Sequence, residues 1–178
     1  MEKQIDFYFD LVSPYSYIAS MLIDDVARRG NAKVSWEPFL LGGVFKAVGT
    51  TEAPGLHPAK KPYLLKDLQR LSKHLNIPIT MPPDFPVRTV LAMRTLCGFN
   101  ADEIPQATHT LYKAYWVNNQ DIADPEVVAS LVGRDAVERA GIQEIKDALF
   151  QSTEEAVQRG AFGAPTFFVK DEMFFGHD

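Results

Sequence analysis

Strand patterns occur only at the two ends of this 178-residue chain, and the long stretch between them shows helical periodicity. Residues 4–11 and 33–39 alternate apolar and polar side chains at the period of two that is typical of a half-buried strand. Two short strands are predicted near the other end, at 166–169 and 173–175, on either side of a turn. This separation predicts one sheet that is built from both ends of the chain.

A helix is predicted between the first two strands, and its start is well marked. Ser13 is a favoured N-cap residue, and Pro14 is favoured at the first helical position because the N–H that it lacks would be unpaired there. Apolar residues follow at helical spacing, and Arg28, Arg29 and Gly30 favour a helix end. The first forty residues are therefore interpreted as a βαβ unit.

The middle of the chain predicts helices only. Their apolar stripes lie at 64–75, 90–97, 104–115, 127–131 and from 142 onward, and a proline-rich stretch at 78–86 separates the first two. We predict an α/β fold in which a βαβ…ββ core is interrupted by an all-helical insertion. Glycines near both junctions place the core at residues 1–43 and 161–178, and the insertion at 44–160.

Composition and charge disfavour several classes of function and exclude sites that need two cysteines. A formal net charge of −5 offers no general attraction for nucleic acid or for a membrane surface, since both favour clustered Lys and Arg. No apolar run approaches the roughly 20 residues that span a bilayer, and the first ten residues lack a signal-peptide pattern, so a cytoplasmic protein is expected. Cys97 is the only cysteine, which excludes an intrachain disulfide, a Cys-x-x-Cys redox pair and a cysteine-based zinc cluster. No metal site is predicted.

Two short motifs at opposite ends of the chain contain the candidate chemistry. Ser13 is either an ordinary helix cap or a hydroxyl that donates a hydrogen bond to a ligand's sulfur, because a helix N-terminus stabilises anions, including thiolates. Pro165, directly before a predicted strand, is by itself consistent with a simple trans turn. Tyr15, Tyr63 and Phe85 either line an apolar acceptor pocket or belong to the core.

Four motifs in one order carry a family resemblance. They are Ser-Pro-Tyr-Ser at 13–16, Lys-x-x-Tyr at 60–63, Phe-Gly-Ala-Pro-Thr at 162–166 and Gly-His-Asp at 176–178. Together they resemble the kappa-class glutathione transferases and the 2-hydroxychromene-2-carboxylate isomerases, in the DsbA-like branch of the thioredoxin superfamily. The resemblance covers essentially the whole chain and implies a thioredoxin-like core with a DsbA-like helical insertion.

The resemblance implies glutathione as the cofactor and gives roles to the matching positions. Ser13 would hydrogen-bond the glutathione sulfur, Lys60 would contact the tripeptide, and Asp178 would hold the γ-glutamyl amino group. Ala164, ahead of a cis-proline at Pro165, would leave its main-chain N–H and C=O free to pair with the cysteinyl part. A small aromatic substrate and a homodimer are further implications.

The match has three weak points. Lys61 is adjacent to Lys60 and is the alternative lysine, while either could be a solvated residue before a helix. Thr50 stands where some relatives carry an asparagine, so this position departs from the family pattern. The resemblance also stops at Asp178, before the family's arginine and C-terminal helix.

The predicted function is glutathione-dependent isomerisation of 2-hydroxychromene-2-carboxylate or a similar aromatic pyruvate, by reversible thiolate addition. Ser13 and the helix N-terminus would lower the thiol pKa from its usual value of roughly 8.5. Two alternatives stay open. A kappa-class transferase or peroxidase starts from the same thiolate, and a non-catalytic thioredoxin-like binding protein would equally lack the cysteine pair.

Overall fold

A computed structural model describes residues 3–50 and 57–178. Its sheet contains β1 (Lys3–Phe9), β2 (Ala32–Pro38), β3 (Thr166–Val169) and β4 (Glu172–Phe175) in the spatial order β2-β1-β3-β4. The β1 strand pairs parallel to β2 and antiparallel to β3, and β3 pairs antiparallel to β4. The predicted sheet from both ends of the chain is confirmed.

The helices lie between the strands in the order that the sequence predicts. They are α1 (Pro14–Gly30), α2 (Leu41–Ala47), α3 (Lys61–Leu75), α4 (Val90–Cys97), α5 (Ile104–Trp116), α6 (Pro125–Val132), α7 (Arg134–Arg139) and α8 (Gln143–Gln158). Two helices, α2 and α7, were not predicted from the sequence, because with seven and six residues they are too short to display a helical period. No helix in the described residues is both long and apolar enough to cross a membrane.

The two faces of β1 pack against different helices, so the sheet is covered on both sides. Phe7 and Phe9 lie on one face against Trp36 of β2, and Phe9 also packs against Tyr112 of α5. Tyr8 lies on the other face in a second apolar cluster with Phe39, Phe168 and Ala156, the last of which belongs to α8. Since alternate residues of a strand point to opposite faces, burial of both faces makes β1 the centre of the fold. The division into two domains at residues 43/44 and 160/161 stays a prediction.

Candidate active site

Ser13 caps α1 and is also in contact with the other motif. Its backbone is extended, and its Oγ accepts a hydrogen bond from the Ser16 N–H at 3.1 Å, which confirms the predicted N-cap. The same hydroxyl donates to the carbonyl oxygen of Ala164 at 3.0 Å, across a separation of 151 residues. Because Ser13 is buried at the end of a 17-residue helix, its hydroxyl lies in the positive field of the helix dipole.

The Ala164-Pro165 peptide bond is cis, as the resemblance implies. The Ala164 C=O accepts a hydrogen bond from the Ser13 hydroxyl and is therefore not free. The resemblance implied that both the N–H and the C=O of Ala164 are free. The Ala164 N–H has no hydrogen-bond acceptor within the part of the chain that the structure describes. The Pro165 carbonyl accepts from the Gly176 N–H at 3.2 Å and holds the end of β4 against the start of β3. One main-chain donor beside Ser13 is thus available to a ligand.

One cavity of about 1080 Å³ brings all the predicted site residues together. Its wall includes Ser13, Lys60, Ala164, Pro165 and Asp178. Ligand pockets for single drug-sized molecules are usually about 300–1,000 Å³, so this volume accommodates a tripeptide together with a second small molecule. The aromatic candidates of the sequence analysis, Tyr15, Tyr63 and Phe85, also line this cavity.

The structure distinguishes the two adjacent lysines. Lys60 precedes α3 and lines the main cavity, whereas Lys61 lines a separate pocket of about 240 Å³ beside Met81. Thr50, the doubtful polar contact, is absent from the cavity wall among the described residues, and its N–H donates to the Phe45 carbonyl at 2.8 Å. The geometry therefore favours Lys60 as the candidate ligand-binding lysine.

Tyr15 joins the segment that ends in Asp178 to two helices. Its ring stacks on His177 with the centroids 5.4 Å apart, and its hydroxyl donates to Asp67 Oδ2 of α3 at 2.7 Å. Burial, followed by the hydrogen bond to Asp67, raises the pKa of Tyr15 well above its usual value. Tyr15 thus keeps its proton as a donor and positions His177, next to Asp178, at the first turn of α1.

Asp10 is a buried carboxylate on the cavity wall that was not predicted from the sequence. Asp10 Oδ1 accepts from the Val12 N–H at 3.1 Å and from the Thr89 hydroxyl at 2.7 Å, while Oδ2 accepts from the Leu41 N–H at 2.9 Å. Burial raises the pKa of Asp10, and these hydrogen bonds oppose the rise. The Asp10 carbonyl also accepts from the Ser13 N–H at 3.0 Å. Asp10 therefore fixes the loop that carries Ser13.

Other parts of the wall also had no assigned role in the sequence analysis. They comprise residues 40–43, at the start of α2, and Arg88 with Thr89, directly before α4. A local sequence pattern cannot reveal them, because each reaches the cavity only through the tertiary fold. The first strand ends in a polar residue, Asp10, three positions before Ser13. That position was the one sequence signal that could have indicated a site residue there.

Cys97 is not part of the site. Burial, with a smaller contribution from Glu37, raises the pKa of Cys97 to about 12, so its thiol is protonated at neutral pH. It is not among the described residues that line the cavity. The described residues also contain no cluster of three side chains that could hold a metal ion.

Comparisons with known proteins agree with this geometry. The family model described as "DSBA-like thioredoxin domain" matches residues 4–178. The chain is 30% identical over 199 residues to "Glutathione S-transferase kappa 1" of Homo sapiens, covering 100% of this chain and 88% of the human protein. It is also 30% identical over 189 residues to a "2-hydroxychromene-2-carboxylate isomerase" of Sphingobium xenophagum, covering 100% of this chain and 94% of that protein.

A solved structure gives the same picture. The structure of a 2-hydroxychromene-2-carboxylate isomerase superposes with a TM-score of 0.86 and 25% sequence identity, covering 98% of this chain and 89% of that chain. The likeness therefore extends over both the sheet and the helical segment.

Proposed function

Because the chain belongs to the DsbA-like thioredoxin family, in the branch of the kappa-class glutathione transferases and the 2-hydroxychromene-2-carboxylate isomerases, we propose that it is a glutathione-dependent isomerase of aromatic pyruvates. The single observation that carries the proposal is the contact between Ser13 and Ala164 at the wall of the cavity. This contact places the Ser13 hydroxyl, at a helix N-terminus, beside the unpaired N–H of Ala164. A hydroxyl for the sulfur and a main-chain donor for the backbone are what a thiol-containing peptide requires.

The residues of the cavity wall fit glutathione. The unpaired Ala164 N–H suits a peptide carbonyl, Lys60 suits a carboxylate, and Asp178 suits the γ-glutamyl ammonium group. Rotation of the Ser13 hydroxyl away from the Ala164 carbonyl would redirect its proton to a sulfur atom. Lys60 has no salt-bridge partner among residues 3–50 and 57–178, so it is available for such a ligand.

The protein's contribution to the reaction is to favour an anionic sulfur and to orient it. Bound glutathione would supply a thiolate whose reversible addition to a conjugated double bond permits rotation about that bond without consuming the cofactor. The Ser13 hydroxyl and the N-terminus of α1 would stabilise the negative charge, which lowers the thiol pKa. Tyr15, Tyr63 and Phe85 would shield the apolar part of the substrate from water.

Thiol titration tests the proposal directly. The ultraviolet absorbance of the thiolate of glutathione is followed against pH, with and without protein. Loss of a hydrogen bond to a charged sulfur costs about 1.5–3 kcal/mol, so Ser13→Ala should raise the pKa of the bound thiol by about one to two pH units. Ser20→Ala is the matched control, because Ser20 lies on the same helix, is buried and donates one hydrogen bond, to Tyr17. No lowering of the thiol pKa by the wild-type protein would refute the proposal.

A kappa-class transferase is the second candidate, since the human kappa protein is as similar in sequence as the isomerase. Turnover of 2-hydroxychromene-2-carboxylate is compared with conjugation of chlorodinitrobenzene by the same preparation. Activity on the first compound alone supports isomerisation, and activity on the second alone supports the transferase.

The homodimer and the cytoplasmic location belong to the proposal as well, and light scattering after size exclusion tests the homodimer.

A further inference from the structure

Arg88 is a cation on the wall of a largely apolar cavity. Around it, the same segment contributes apolar side chains to the wall, namely Phe85, Pro86, Val87 and Val90. Arg88 is exposed, and it has no ion pair or hydrogen bond with another residue in the parts of the chain that the structure describes. A guanidinium group without a protein partner at a ligand cavity is available to an anionic ligand.

The backbone on both sides of Arg88 is fixed. The Val87 N–H donates to the Tyr115 hydroxyl at 3.3 Å, and the Thr89 hydroxyl donates to buried Asp10 at 2.7 Å. Thr89 also precedes α4 and accepts from the Met93 N–H through its carbonyl. The backbone therefore holds Arg88 at a defined point on the wall, while its side chain makes no hydrogen bond or ion pair with the residues that the structure describes. A fixed backbone with an uncommitted charged side chain is suited to ligand recognition.

The remaining titratable groups on the wall have other partners or other roles. Asp10 is held by three donors, and His177 stacks on Tyr15. The proposed function uses Lys60 for one of the two carboxylates of glutathione and Asp178 for its ammonium group. Arg88 is then the wall cation without an assigned ligand group, and parallel measurements of glutathione and acid affinity distinguish the second glutathione carboxylate from the carboxylate of a substrate.

We propose that Arg88 binds the carboxylate of an aromatic acid substrate and makes the site selective for anionic over neutral acceptors. The planar guanidinium group donates two parallel hydrogen bonds to a carboxylate, a geometry that a neutral electrophile cannot use. The aromatic part of the same molecule would lie against the apolar wall around Arg88. The reaction served by this contact rests on the proposed function, but the binding of the carboxylate does not.

The test uses a non-reactive pair of ligands with the same carbon skeleton, one a carboxylate and the other the neutral carboxamide. Binding of 3-phenylpropionate and of 3-phenylpropanamide is measured by titration calorimetry on the wild-type chain, Arg88→Gln, Arg88→Lys and the control Arg70→Gln. Arg70 is exposed on α3 and is absent from the described wall of the cavity. Arg88→Gln should weaken binding of the acid by about 10–100-fold, Arg88→Lys by about 3–10-fold, and neither should change binding of the amide.

Glutathione affinity is measured on the same four proteins and should change by less than about twofold. Equal weakening of glutathione and of the acid would overturn the proposal, because Arg88 would then be a glutathione contact. It is also overturned if the wild type does not bind 3-phenylpropionate, if Arg88→Gln binds it unchanged, or if acid and amide weaken equally. A missing shift of the thiol pKa would instead refute the proposed function and leave this proposal standing.

Discussion

Replacement of Asp10 by Asn measures how strongly the loop that carries Ser13 is fixed. Asn has the same size but exchanges one acceptor oxygen for an NH₂ donor. If the amide oxygen keeps Val12 and Thr89, the NH₂ group faces the Leu41 N–H, and in the flipped orientation it faces the Val12 N–H. Either way one main-chain N–H loses its acceptor.

The size of the effect follows from these contacts. An unsatisfied buried donor costs about 1–3 kcal/mol, and the charge-assisted character of the remaining bonds is also lost. Removal of a buried charge offsets part of that cost, since burial dominates the rise in the Asp10 pKa. Asp10→Asn should therefore lower the free energy of unfolding by about 1–3 kcal/mol.

The measurement is urea unfolding followed by circular dichroism. We expect Asp10→Asn to lower the midpoint and to leave the m-value unchanged. Asp67→Asn is the control, because within the described residues Asp67 accepts one hydrogen bond, from Tyr15, and an amide oxygen can still accept it. Its expected cost is below about 1 kcal/mol. An Asp10→Asn protein that is no less stable than the Asp67→Asn protein would refute the reasoning.

The stability difference between the wild type and Asp10→Asn should also depend on pH. Because the pKa of Asp10 is raised above 3.8 in the folded state, the folded protein keeps this proton to a higher pH than the unfolded chain. The resulting stabilisation is complete below 3.8 and is lost as the pH rises through the folded-state pKa. The deficit of Asp10→Asn should hence grow on acidification from about pH 8 to about pH 4. A deficit that stays constant or shrinks would contradict the raised pKa.

Two further predictions concern the neighbouring contacts. Gly42→Ala should raise the free energy of unfolding by up to about 1 kcal/mol, because Gly42 lies in α2 and an added Cβ would meet no atom within 4 Å outside the adjacent backbone of the helix. Gly43→Ala should lower it by up to about 2 kcal/mol, because its Cβ would lie 3.0 Å from Cγ2 of buried Thr153, whose hydroxyl is held by Leu40 and Leu149, and this strain outweighs the same helix gain. Equal effects of the two substitutions in parallel thermal unfolding would contradict this packing. Tyr15→Phe should cost about 0.5–1.5 kcal/mol in urea unfolding through loss of the bond to Asp67, and a variant of wild-type stability would show that the bond contributes nothing.

Local chemistry explains what the sequence could predict. The start of α1 follows from Ser13 and Pro14 alone, because capping and the missing proline N–H act within one turn. The strands follow from alternation, although β1 ends at Phe9 rather than at residue 11 because Asp10 turns the chain through its bonds to Val12 and Leu41. Short-range patterns are sufficient where the partners are also close in sequence.

Long-range contacts explain what the sequence could not predict. Asp10 has partners 31 and 79 residues away in Leu41 and Thr89, so no window around it reveals its role. The preference for Lys60 over Lys61 depends on where the first turn of α3 meets two separate pockets, which is a property of packing. The family motifs pointed to residues that line one cavity, but the wall they share became visible only in three dimensions.

The helical segment does more than cover the site, because it holds the loop of Ser13 in place. Trp116 Nε1–H of α5 donates to the Leu11 carbonyl at 2.9 Å, the Tyr112 hydroxyl donates to the Asp10 carbonyl at 3.3 Å, and Thr89 donates to the Asp10 carboxylate. All three donors lie outside the βαβ unit. A serine that served only as a helix cap would need none of them, since its bond to the Ser16 N–H is local. A sheet of residues 1–43 and 161–178 by itself would lack these donors, so the position of the proposed sulfur-binding hydroxyl depends on the helices that interrupt the sheet.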